Sequence, residues 1–317
     1  MHVLITGGAG FIGSTLSERL LSLGVSVTAV DNFNPYYNPQ YKRENIQSLL
    51  NAPGYTLAEG DIGDSGFLDH MLAKRKYAKV IHLAASVGVR NSLLHPEAYH
   101  RNNVVGTKIL LEAAARHNVR HCIFASSSSI YGNDSPTPFA EDNVVDSPLN
   151  PYAQSKKDAE KFCESYHQKY GVPMTIFRFF TVYGPKGRPD MSPYIFTDAI
   201  LNGKPIKVYG DGSARRDFTF VDDIVDGIIR GIQNPFQFEI FNLGSSTPID
   251  VLSFIHIIET LGKKRAQIEF APIIPSEMKH TYANCQKANQ LLGYHPNVNI
   301  ETGMEKFIRW FQQFRLS

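Results

Sequence analysis

The residue pattern with the most chemical content is a tyrosine and a lysine four positions apart, Tyr152 and Lys156, in the segment NPYAQSKKDAEKF. On a helix, side chains with this spacing lie on one face, so the two groups can act together. A phenol has an ordinary pKa near ~10 and becomes a useful base only where neighbouring positive charge stabilises the phenolate. The pair therefore predicts acid–base chemistry on a substrate hydroxyl. The same spacing also occurs on ordinary surface helices, so it needs support from elsewhere in the chain.

A serine run at residues 126–129 supplies further candidate catalytic groups. It closes an apolar segment that begins near Cys122, and the end of a strand in a parallel sheet is where ligands bind. A serine hydroxyl there can donate a hydrogen bond to the oxygen from which Tyr152 takes a proton. The alternative is that the serines only cap a neighbouring helix or turn.

Three glycines, Gly7, Gly10 and Gly13, lie where a predicted first strand passes into a first helix. This spacing permits a tight turn, allows the backbone to approach a diphosphate and lets the helix pack close to the strand. The diphosphate would lie at the helix N-terminus, beside Phe11 and Ile12, where free N–H groups favour anions. The pattern predicts a dinucleotide site, although the glycines could instead serve the turn alone.

A carboxylate at the end of the second predicted strand selects between two dinucleotides. Asp31 can accept hydrogen bonds from both hydroxyls of a ribose and repels a 2′-phosphate, which predicts NAD as the cofactor and not NADP. Asp61, followed by Ile62, comes after the third predicted strand and is expected to face the adenine edge. An ordinary turn aspartate is the alternative for Asp61.

The elements that must position these groups follow an alternating pattern. Short apolar runs alternate with amphipathic stretches through the first half, which is typical of a parallel sheet covered by helices. The predicted strands are residues 3–6, 26–30, 55–58, 80–84, 122–126 and 174–179. The predicted helices between them are residues 11–23, 66–75, 98–117 and 152–170. The sequence thus predicts an α/β fold with a Rossmann-type doubly wound parallel sheet.

Beyond about residue 180 the sequence becomes rich in turn residues and loses the regular alternation. Helical patterns recur at residues 193–202, 222–233, 250–262 and 301–314. We expect residues 1–180 to form an NAD-binding domain that carries Ser127, Tyr152 and Lys156. Residues 181–317 would form a smaller α+β C-terminal lobe, with some exchange of chain between the two.

Composition and charge argue against several classes of protein. Lysine and arginine number 32 against 30 acidic residues, so no general charge favours nucleic acid. No apolar run approaches the roughly 18 residues that span a bilayer, and the first residues have no basic leader, so we expect no membrane partner. Three widely spaced cysteines, Cys122, Cys163 and Cys285, fit neither a disulfide framework nor a CxxC metal or redox site. We expect a cytoplasmic protein with no metal.

The chain resembles, over nearly its whole length, the extended short-chain dehydrogenase/reductase superfamily of nucleotide-sugar epimerases and dehydratases. The segments that carry this resemblance are GGAGFIG, DNFNPYYNPQYKR, HLAASVGVRNSL, SSSSIYG, NPYAQSK, YGPKGRPDM and RRDFTFVDDI. The resemblance is strongest to the UDP-glucuronate 4-epimerases. It implies bound NAD, a UDP-sugar substrate and 4-epimerisation through a 4-keto intermediate. It places Ser127 at the catalytic Ser/Thr position, makes Tyr152 and Lys156 the acid–base pair, and makes the C-terminal lobe the nucleotide-sugar site.

The resemblance also implies individual binding residues. The implied cofactor contacts, besides those above, are Asn32, Leu83, Ala84, Ala85 and Asn103, where Asn103 could equally be a structural amide. The implied substrate contacts are Val87, Arg90, Ser127, Ser128, Tyr152, Thr181, Arg188, Tyr209, Arg216 and Lys279. Arg188 would face a uronate carboxylate and Arg216 a diphosphate. Thr181 stands where many relatives have asparagine, and Lys279 lies where a second arginine is missing. Tyr209 could flank the uracil or belong to the core.

Four functions follow from these residues. The favoured one is conversion of UDP-glucuronate to UDP-galacturonate. A UDP-glucose/UDP-galactose or N-acetylhexosamine 4-epimerase would share the catalytic groups and differ at Arg188. A decarboxylase or dehydratase is disfavoured because Ser128 and Ser129 stand where those relatives carry an acid. A non-catalytic dinucleotide sensor would have no reason to keep Ser127, Tyr152 and Lys156 together. We also expect a homodimer, in which the long helices pair as a four-helix bundle; the alternative is that their apolar faces are buried within the monomer.

Overall fold

Thirteen strands are found in the computed structural model, which describes residues 1–316. They are β1 (His2–Thr6), β2 (Ser26–Asp31), β3 (Tyr55–Glu59), β4 (Lys79–His82), β5 (Cys122–Ser127), β6 (Met174–Phe179), β7 (Thr181–Tyr183), β8 (Pro205–Tyr209), β9 (Arg215–Arg216), β10 (Phe218–Phe220), β11 (Phe238–Leu243), β12 (Ile249–Asp250) and β13 (Gln267–Ala271).

The helices of the same range are α1 (Phe11–Ser22), α2 (Pro39–Ile46), α3 (Ser65–Lys74), α4 (Val89–Leu94), α5 (Pro96–Tyr99), α6 (Gly106–Arg116), α7 (Pro151–Tyr170), α8 (Ser192–Leu201), α9 (Val221–Gln233), α10 (Val251–Gly262), α11 (Gln286–Leu292) and α12 (Ile300–Arg315). A π-helical segment (His100–Val105) joins α5 to α6, and a 3₁₀ turn (Ser128–Tyr131) follows β5. Within residues 1–316, no helix has both the length and the apolar character needed to cross a membrane.

Seven strands form one parallel sheet in the order β11-β6-β5-β4-β1-β2-β3. The chain builds β1 to β3 outwards in one direction, returns, and then builds β4, β5, β6 and β11 in the other. The order reverses between β1 and β4, and the carboxyl ends of these two strands border the crevice in which such sheets bind ligands. The predicted α/β fold with a doubly wound parallel sheet is therefore confirmed.

The central strand β1 shows why the sheet lies between two layers. Val3, Leu4 and Ile5 are all fully buried, as expected for a strand covered on both faces. Successive side chains point to opposite faces. Val3 and Ile5 join the larger apolar cluster, which continues into the second half of the chain, whereas Leu4 joins a smaller cluster with Leu68. The strand β1, which ends at the crevice, is thus held by apolar packing on both faces of the sheet.

Three differences from the predicted elements concern the main sheet and the site. The strand predicted at residues 80–84 ends at His82, because its neighbour β1 ends at Thr6, directly opposite. The single helix predicted at residues 98–117 consists of α5, the π-helical segment and α6. The sequence pattern missed β11, which pairs with β6 and makes the second half of the chain part of the main sheet.

Candidate active site

The glycine-rich turn between β1 and α1 is shaped by close backbone contacts. Gly7 has a φ of +70°, and a Cβ added there would lie 2.8 Å from the backbone nitrogen of Ala84. A Cβ at Gly13 would lie 2.2 Å from the carbonyl oxygen of Gly7. At Gly10 the same atom meets only that carbonyl oxygen, at 3.2 Å. Gly7 and Gly13 are therefore required by packing, whereas Gly10 leaves a cradle at the N-terminus of α1 that fits a diphosphate.

Asp31 is fixed at the end of β2 by several donors. Its carboxylate accepts hydrogen bonds from the backbone N–H of Ala9 at 3.2 Å and of Phe33 at 2.9 Å. The ammonium of Lys42 donates to the same carboxylate, with Nζ 3.2 Å from Oδ1. A buried carboxylate in this place suits the hydroxyls of a ribose. Lys42 had no role in the sequence prediction, because nothing in its local sequence indicates a partner at Asp31.

The two residues expected near the adenine are brought together. The side-chain amide of Asn32 donates to Asp61 Oδ2 at 2.7 Å, and Asp61 Oδ1 accepts from the backbone N–H of Gly63 at 2.7 Å. Ile62 is buried and packs against Gly106, where an added Cβ would lie 2.9 Å from Ile62 Cδ1. Asp61 thus makes both a turn contact and a contact with Asn32, which directly follows the neighbouring strand β2.

The loop after β4 is held by the protein itself. The backbone N–H of Leu83 donates to the carbonyl of Thr6 at 3.1 Å, and that of Ala84 to the Thr6 hydroxyl at 3.3 Å. Ala85 follows on the same loop. Asn103 donates to the Ser86 carbonyl and to the Ser155 hydroxyl, both at 2.9 Å, and accepts from the Ser86 N–H at 2.7 Å. The buried amide of Asn103 therefore positions this loop on α7, which matches the structural alternative for this residue.

Tyr152 lies in the first turn of α7. The helix begins after Asn150, whose side chain accepts from the backbone N–H of Ala153 at 2.9 Å and caps the helix. Burial raises the pKa of Tyr152, whereas a hydrogen bond with Ser127 and the Arg188 guanidinium act to lower it. The phenol is thus placed between a hydroxyl and a cation, in a site from which water is partly excluded.

The Ser127 hydroxyl is oriented by Ser129. Ser127 Oγ accepts from the backbone N–H of Ser129 at 3.2 Å and from its hydroxyl at 2.9 Å. With its acceptor sites used in this way, the hydroxyl proton of Ser127 is directed to Tyr152. Ser128 is buried beside them, and Ser126 Oγ is a buried oxygen without a hydrogen-bond partner among residues 1–316.

Lys156 lies one turn along α7 and is buried. Its ammonium donates to the carbonyl of Ala125 at 2.8 Å and lies 5.0 Å from the centre of the Phe124 ring. Burial lowers its pKa to about 8. The sequence predicts that this ammonium tunes the Tyr152 phenol, and this role stays a prediction. Arg188 is a second cation that acts on Tyr152, and two of the three donors of Lys156 remain for a bound ribose.

Arg188 forms a bidentate ion pair with Asp190. Its Nε donates to Asp190 Oδ1 at 2.9 Å and its Nη2 to Oδ2 at 2.5 Å. The phenol of Tyr36 also donates to Asp190 Oδ2, at 3.0 Å. The sequence pattern predicts a role for Arg188 and none for Asp190 or Tyr36. The spacing of Arg188 and Asp190 could have indicated the first, whereas no local signal indicates Tyr36.

The groups expected to bind the nucleotide lie in a second cluster. The Arg90 guanidinium lies 4.4 Å from the centre of the Tyr209 ring, donates to its hydroxyl at 3.3 Å and forms a 2.9 Å ion pair with Glu277. Sequence analysis missed Glu277. Arg216 donates to the backbone carbonyls of Arg215 and Lys279, and burial lowers its pKa.

The remaining predicted substrate residues are placed by their backbones. The Val87 carbonyl accepts from the Tyr99 hydroxyl at 2.5 Å. The Thr181 N–H donates to the Asp217 carbonyl at 3.0 Å, at the start of β7. Lys279 contributes backbone contacts to Asn133 and Arg216, while its side chain is exposed. The structure therefore brings Lys279 to the site through its main chain.

Comparisons with known proteins agree with this arrangement. Residues 3–244 match the family model described as NAD dependent epimerase/dehydratase. A protein of Thermodesulfobacterium geofontis named UDP-glucuronate 4-epimerase is 41% identical over 313 residues, 98% of this chain and 96% of that protein. The crystal structure of UDP-glucuronic acid 4-epimerase from Bacillus cereus, in complex with UDP-glucuronic acid and NAD, is 35% identical, covers 99% of both chains and gives a TM-score of 0.93. The UDP-glucose 4-epimerase of Thermotoga maritima, solved with UDP-glucose, is 28% identical over 99% of both chains, with a TM-score of 0.91.

Proposed function

Because the chain belongs to the NAD-dependent epimerase/dehydratase family, we propose that it is an isomerase that inverts C4 of UDP-glucuronate to give UDP-galacturonate. The observation that carries this proposal is the placement of Tyr152 between the Ser127 hydroxyl and the Arg188 guanidinium. An acid–base group, an oxyanion donor and a cation suited to a carboxylate thus meet at one point. The relatives named as UDP-glucuronate 4-epimerases support the choice of sugar.

The residues of the crevice fit NAD. The open cradle at Gly10 suits its diphosphate, the Asp31 carboxylate suits its adenosine ribose, and the free donors of Lys156 suit the second ribose. When bound, NAD supplies the acceptor and then the donor for the hydride of C4, so the isomerisation has no net redox change. We assign Gly7, Gly10 and Gly13, together with Asp31 and Lys156, to this cofactor.

Tyr152 performs the proton transfer in this mechanism. As a phenolate it accepts the proton of the C4 hydroxyl when the hydride leaves C4, and it returns this proton when the 4-keto sugar is reduced from the opposite face. Burial opposes the phenolate, so the Ser127 hydrogen bond and the Arg188 charge are needed to form it. When the C4 oxygen becomes negatively charged, the single Ser127 proton turns from Tyr152 to that oxygen, and such a donor is worth about 3 to 4 kcal/mol where it faces developing charge.

Arg188 favours a uronate over a neutral sugar. The ion pair with Asp190 uses Nε and Nη2, and the edge formed by Nη1 and Nη2 stays available for a second planar carboxylate. Ser128 and Ser129 supply no acid for eliminating water or assisting loss of CO₂. A UDP-glucose 4-epimerase is the second candidate, because Asp190 already balances the charge of Arg188 and a neutral sugar would leave no unmatched charge.

The test is to incubate the purified protein separately with UDP-glucuronate and UDP-glucose and to follow the products by proton NMR. We expect UDP-galacturonate from the first, with no CO₂ released, and little conversion of the second. Conversion of UDP-glucose alone would favour the second candidate. A pentose product would replace the epimerase proposal with a decarboxylase.

We further propose that residues 1–180 hold NAD and residues 181–317 hold most of the nucleotide sugar, with β11 exchanged into the main sheet. The predicted substrate groups Tyr209, Arg216 and Lys279, which come from the second range, support this division. Three free and buried cysteines support a cytoplasmic location. Burial raises the pKa of the Cys122 and Cys285 thiols to about 12, which keeps both protonated and unreactive.

We also propose a homodimer that forms through the π-helical segment, α6 and α7. Val105, 38% exposed in the π-helical segment, and Phe162, 36% exposed on α7, are apolar side chains that a second copy would cover. Light scattering on the Val105→Asp/Phe162→Asp protein should give the monomer mass where the wild type gives twice that mass. Leu291→Asp, an exposed position on α11, is the matched control and should leave the dimer intact. A wild-type monomer mass at micromolar concentration would exclude the dimer.

A further inference from the structure

Three separate loops meet at the Asp190 carboxylate. Asp190 lies between β7 and α8 and holds Arg188 through both of its oxygens. Tyr36, 154 residues earlier in the chain and in the loop after β2, donates its phenol proton to the same carboxylate. Asp190 therefore has one charged and one neutral donor, and both come from loops that follow strands, β7 for Arg188 and β2 for Tyr36.

The third loop reaches this carboxylate through Gly88. Gly88 has a φ of +94°, and an added Cβ would lie 2.4 Å from the Tyr36 hydroxyl and 3.5 Å from Asp190 Oδ2. Its carbonyl and that of Val87 accept from the Tyr99 hydroxyl at 2.8 and 2.5 Å. The Tyr99 ring in turn lies edge-on to Tyr152, with 6.2 Å between ring centres. A continuous set of contacts thus joins Asp190 to the acid–base group.

The Arg188 charge interacts with Asp190 and with the tyrosines around it. Its guanidinium faces Asp190, Tyr37 and Tyr152, and its charge also acts on Tyr36 and Tyr99. Arg188 holds the pKa of the Asp190 carboxyl below its usual range, so Asp190 is an anion at neutral pH. Asp190 therefore cancels part of the positive charge that reaches Tyr152.

We propose that Asp190, held by the Tyr36 phenol, is a positioning residue that fixes the Arg188 guanidinium side-on so that its free edge binds and retains the substrate carboxylate. This inference rests on the proposed function. An arginine side chain that is not held in place has several rotamers, and a carboxylate binds both N–H groups of the edge only when that edge is fixed. Tyr36 and Asp190 supply the second contact that the guanidinium needs.

Retention of the carboxylate matters because the 4-keto sugar is a β-keto acid. In the loss of CO₂, the C5–C6 bond breaks, its electron pair forms an enolate across C5, C4 and O4, and water protonates C5. The negative charge of the carboxylate is lost from its own oxygens in this step. A guanidinium bound to those oxygens stabilises the starting acid and so opposes the reaction.

The test compares Asp190→Asn and Tyr36→Phe with the wild type on UDP-glucuronate. For Asp190→Asn we expect a rise of at least tenfold in CO₂ released per epimerisation, measured as labelled CO₂ and as UDP-pentose by NMR. In Asp190→Asn the Arg188 charge is no longer offset, so the pKa of Tyr152 should fall. The acidic limb of the profile of kcat/KM against pH should therefore move to lower pH. Tyr36→Phe keeps the carboxylate, so it should raise CO₂ release by less and leave the limb in place.

Two further variants separate positioning from a general structural effect. Asp190→Glu keeps the charge and should restore the wild-type limb. Asp69→Asn removes a carboxylate that holds Arg116 in a similar bidentate pair outside the site, and it should change neither measurement. A merely structural role would lower the rate without moving the limb or the CO₂ fraction.

Each outcome has one consequence. If wild type epimerises UDP-glucuronate and both Asp190→Asn and Tyr36→Phe keep its CO₂ fraction and pH limb, the inference is overturned and the proposed function stands. If Asp190→Asn does not fold, unchanged CO₂ release in Tyr36→Phe overturns it. If wild type acts only on UDP-glucose, the proposed function itself fails, and carboxylate retention fails with it.

Discussion

At the scale of single residues, the site is built around a phenol whose pKa is shifted in opposite directions by its surroundings. Burial favours the neutral form of Tyr152, and Ser127 and Arg188 favour the phenolate. Lys156 is buried against Ala125 and Phe124, and burial lowers its pKa to about 8, so part of its charge is lost just above neutral pH. The working pH range of the enzyme is therefore set by a balance among these four side chains.

Tyr152→Phe should abolish turnover and leave the cofactor site intact. The substitution removes only the hydroxyl that carries the proton, and general acid–base groups contribute roughly 10²- to 10⁴-fold to rates. NMR product analysis should therefore show a loss of this size, while calorimetry should show NAD binding unchanged within about twofold. Tyr170→Phe, at the exposed end of α7, is the matched control. Near-normal turnover in Tyr152→Phe would contradict the acid–base assignment.

Asp31→Asn should weaken NAD binding and reduce discrimination against NADP. The change removes the charge that accepts the ribose hydroxyls, and a hydrogen bond to a charged group contributes about 1.5 to 3 kcal/mol, or roughly ten- to hundredfold in Kd. It also leaves Lys42, now 3.2 Å from the carboxylate, free to attract a 2′-phosphate. Calorimetric titrations with both dinucleotides measure the effect, and Asp64→Asn, at the cap of α3, is the control. An unchanged NADP-to-NAD affinity ratio would remove Asp31 from cofactor selection.

Local spacing explains which site residues the sequence could predict. Tyr152 and Lys156 are one helical turn apart, and Gly7, Gly10 and Gly13 lie in one short segment that runs from the turn after β1 into α1, so short-range pattern carries their roles. Contacts between distant loops left no such pattern. The contact from Tyr36 to Asp190 spans 154 residues and that from Arg90 to Glu277 spans 187, and neither can be read without the fold.

At the scale of elements, the alternating pattern of the first 180 residues predicted six strands of the main sheet, β1 to β6. The sequence pattern missed the edge strand β11 because FEIFNL carries a glutamate and an asparagine, and only pairing with the distant strand β6 makes it part of the main sheet. The π-helical segment was missed for a different reason. Its residues have ordinary helical spacing, and the wider turn is fixed by the contacts of Asn103 to Ser86 and Ser155.

Gly10 and Gly13 should respond differently to substitution by alanine. Gly13→Ala would place a Cβ 2.2 Å from the Gly7 carbonyl, so α1 must move away from β1, at about 1 to 3 kcal/mol of unfolding free energy. Gly10→Ala meets that carbonyl only at 3.2 Å and places its methyl group in the cradle. It should weaken NAD binding with little loss of stability. Urea unfolding without NAD and calorimetry with NAD measure the two effects, and equal stability losses would contradict the division of roles.

At the scale of the whole molecule, both faces of the sheet are covered, and this covering buries two histidines, His82 and His121. His82 accepts from the Thr6 hydroxyl at 2.7 Å through Nδ1 and donates to Thr107 at 2.9 Å through Nε2. This polarity follows from Thr107, whose own proton is donated to the Asn103 carbonyl. Burial and then the Lys156 charge lower the pKa of His82 to about 3, and burial likewise lowers that of His121 to about 3. Both imidazoles are neutral in the folded protein at neutral pH.

The unfolding free energy should therefore fall as the pH falls below about 6.5, the ordinary value for histidine. Between that pH and about 3 the unfolded chain binds a proton at His82 that the folded protein does not, so stability is lost as the solution is acidified. One such histidine lowers the unfolding free energy by about 1.4 kcal/mol per pH unit in this range. The loss between about pH 6.5 and pH 5 is therefore about 2 kcal/mol. His82→Gln keeps a donor and an acceptor but cannot gain the proton. It should therefore remove about half of the slope of unfolding free energy against pH and leave the part that His121 contributes.

His70→Gln, an exposed position on α3, is the control for losing an imidazole at the surface. Urea unfolding of the three proteins between pH 5 and 7 measures the slopes, and equal slopes for wild type and His82→Gln would show that His82 is not the buried group whose protonation opposes folding.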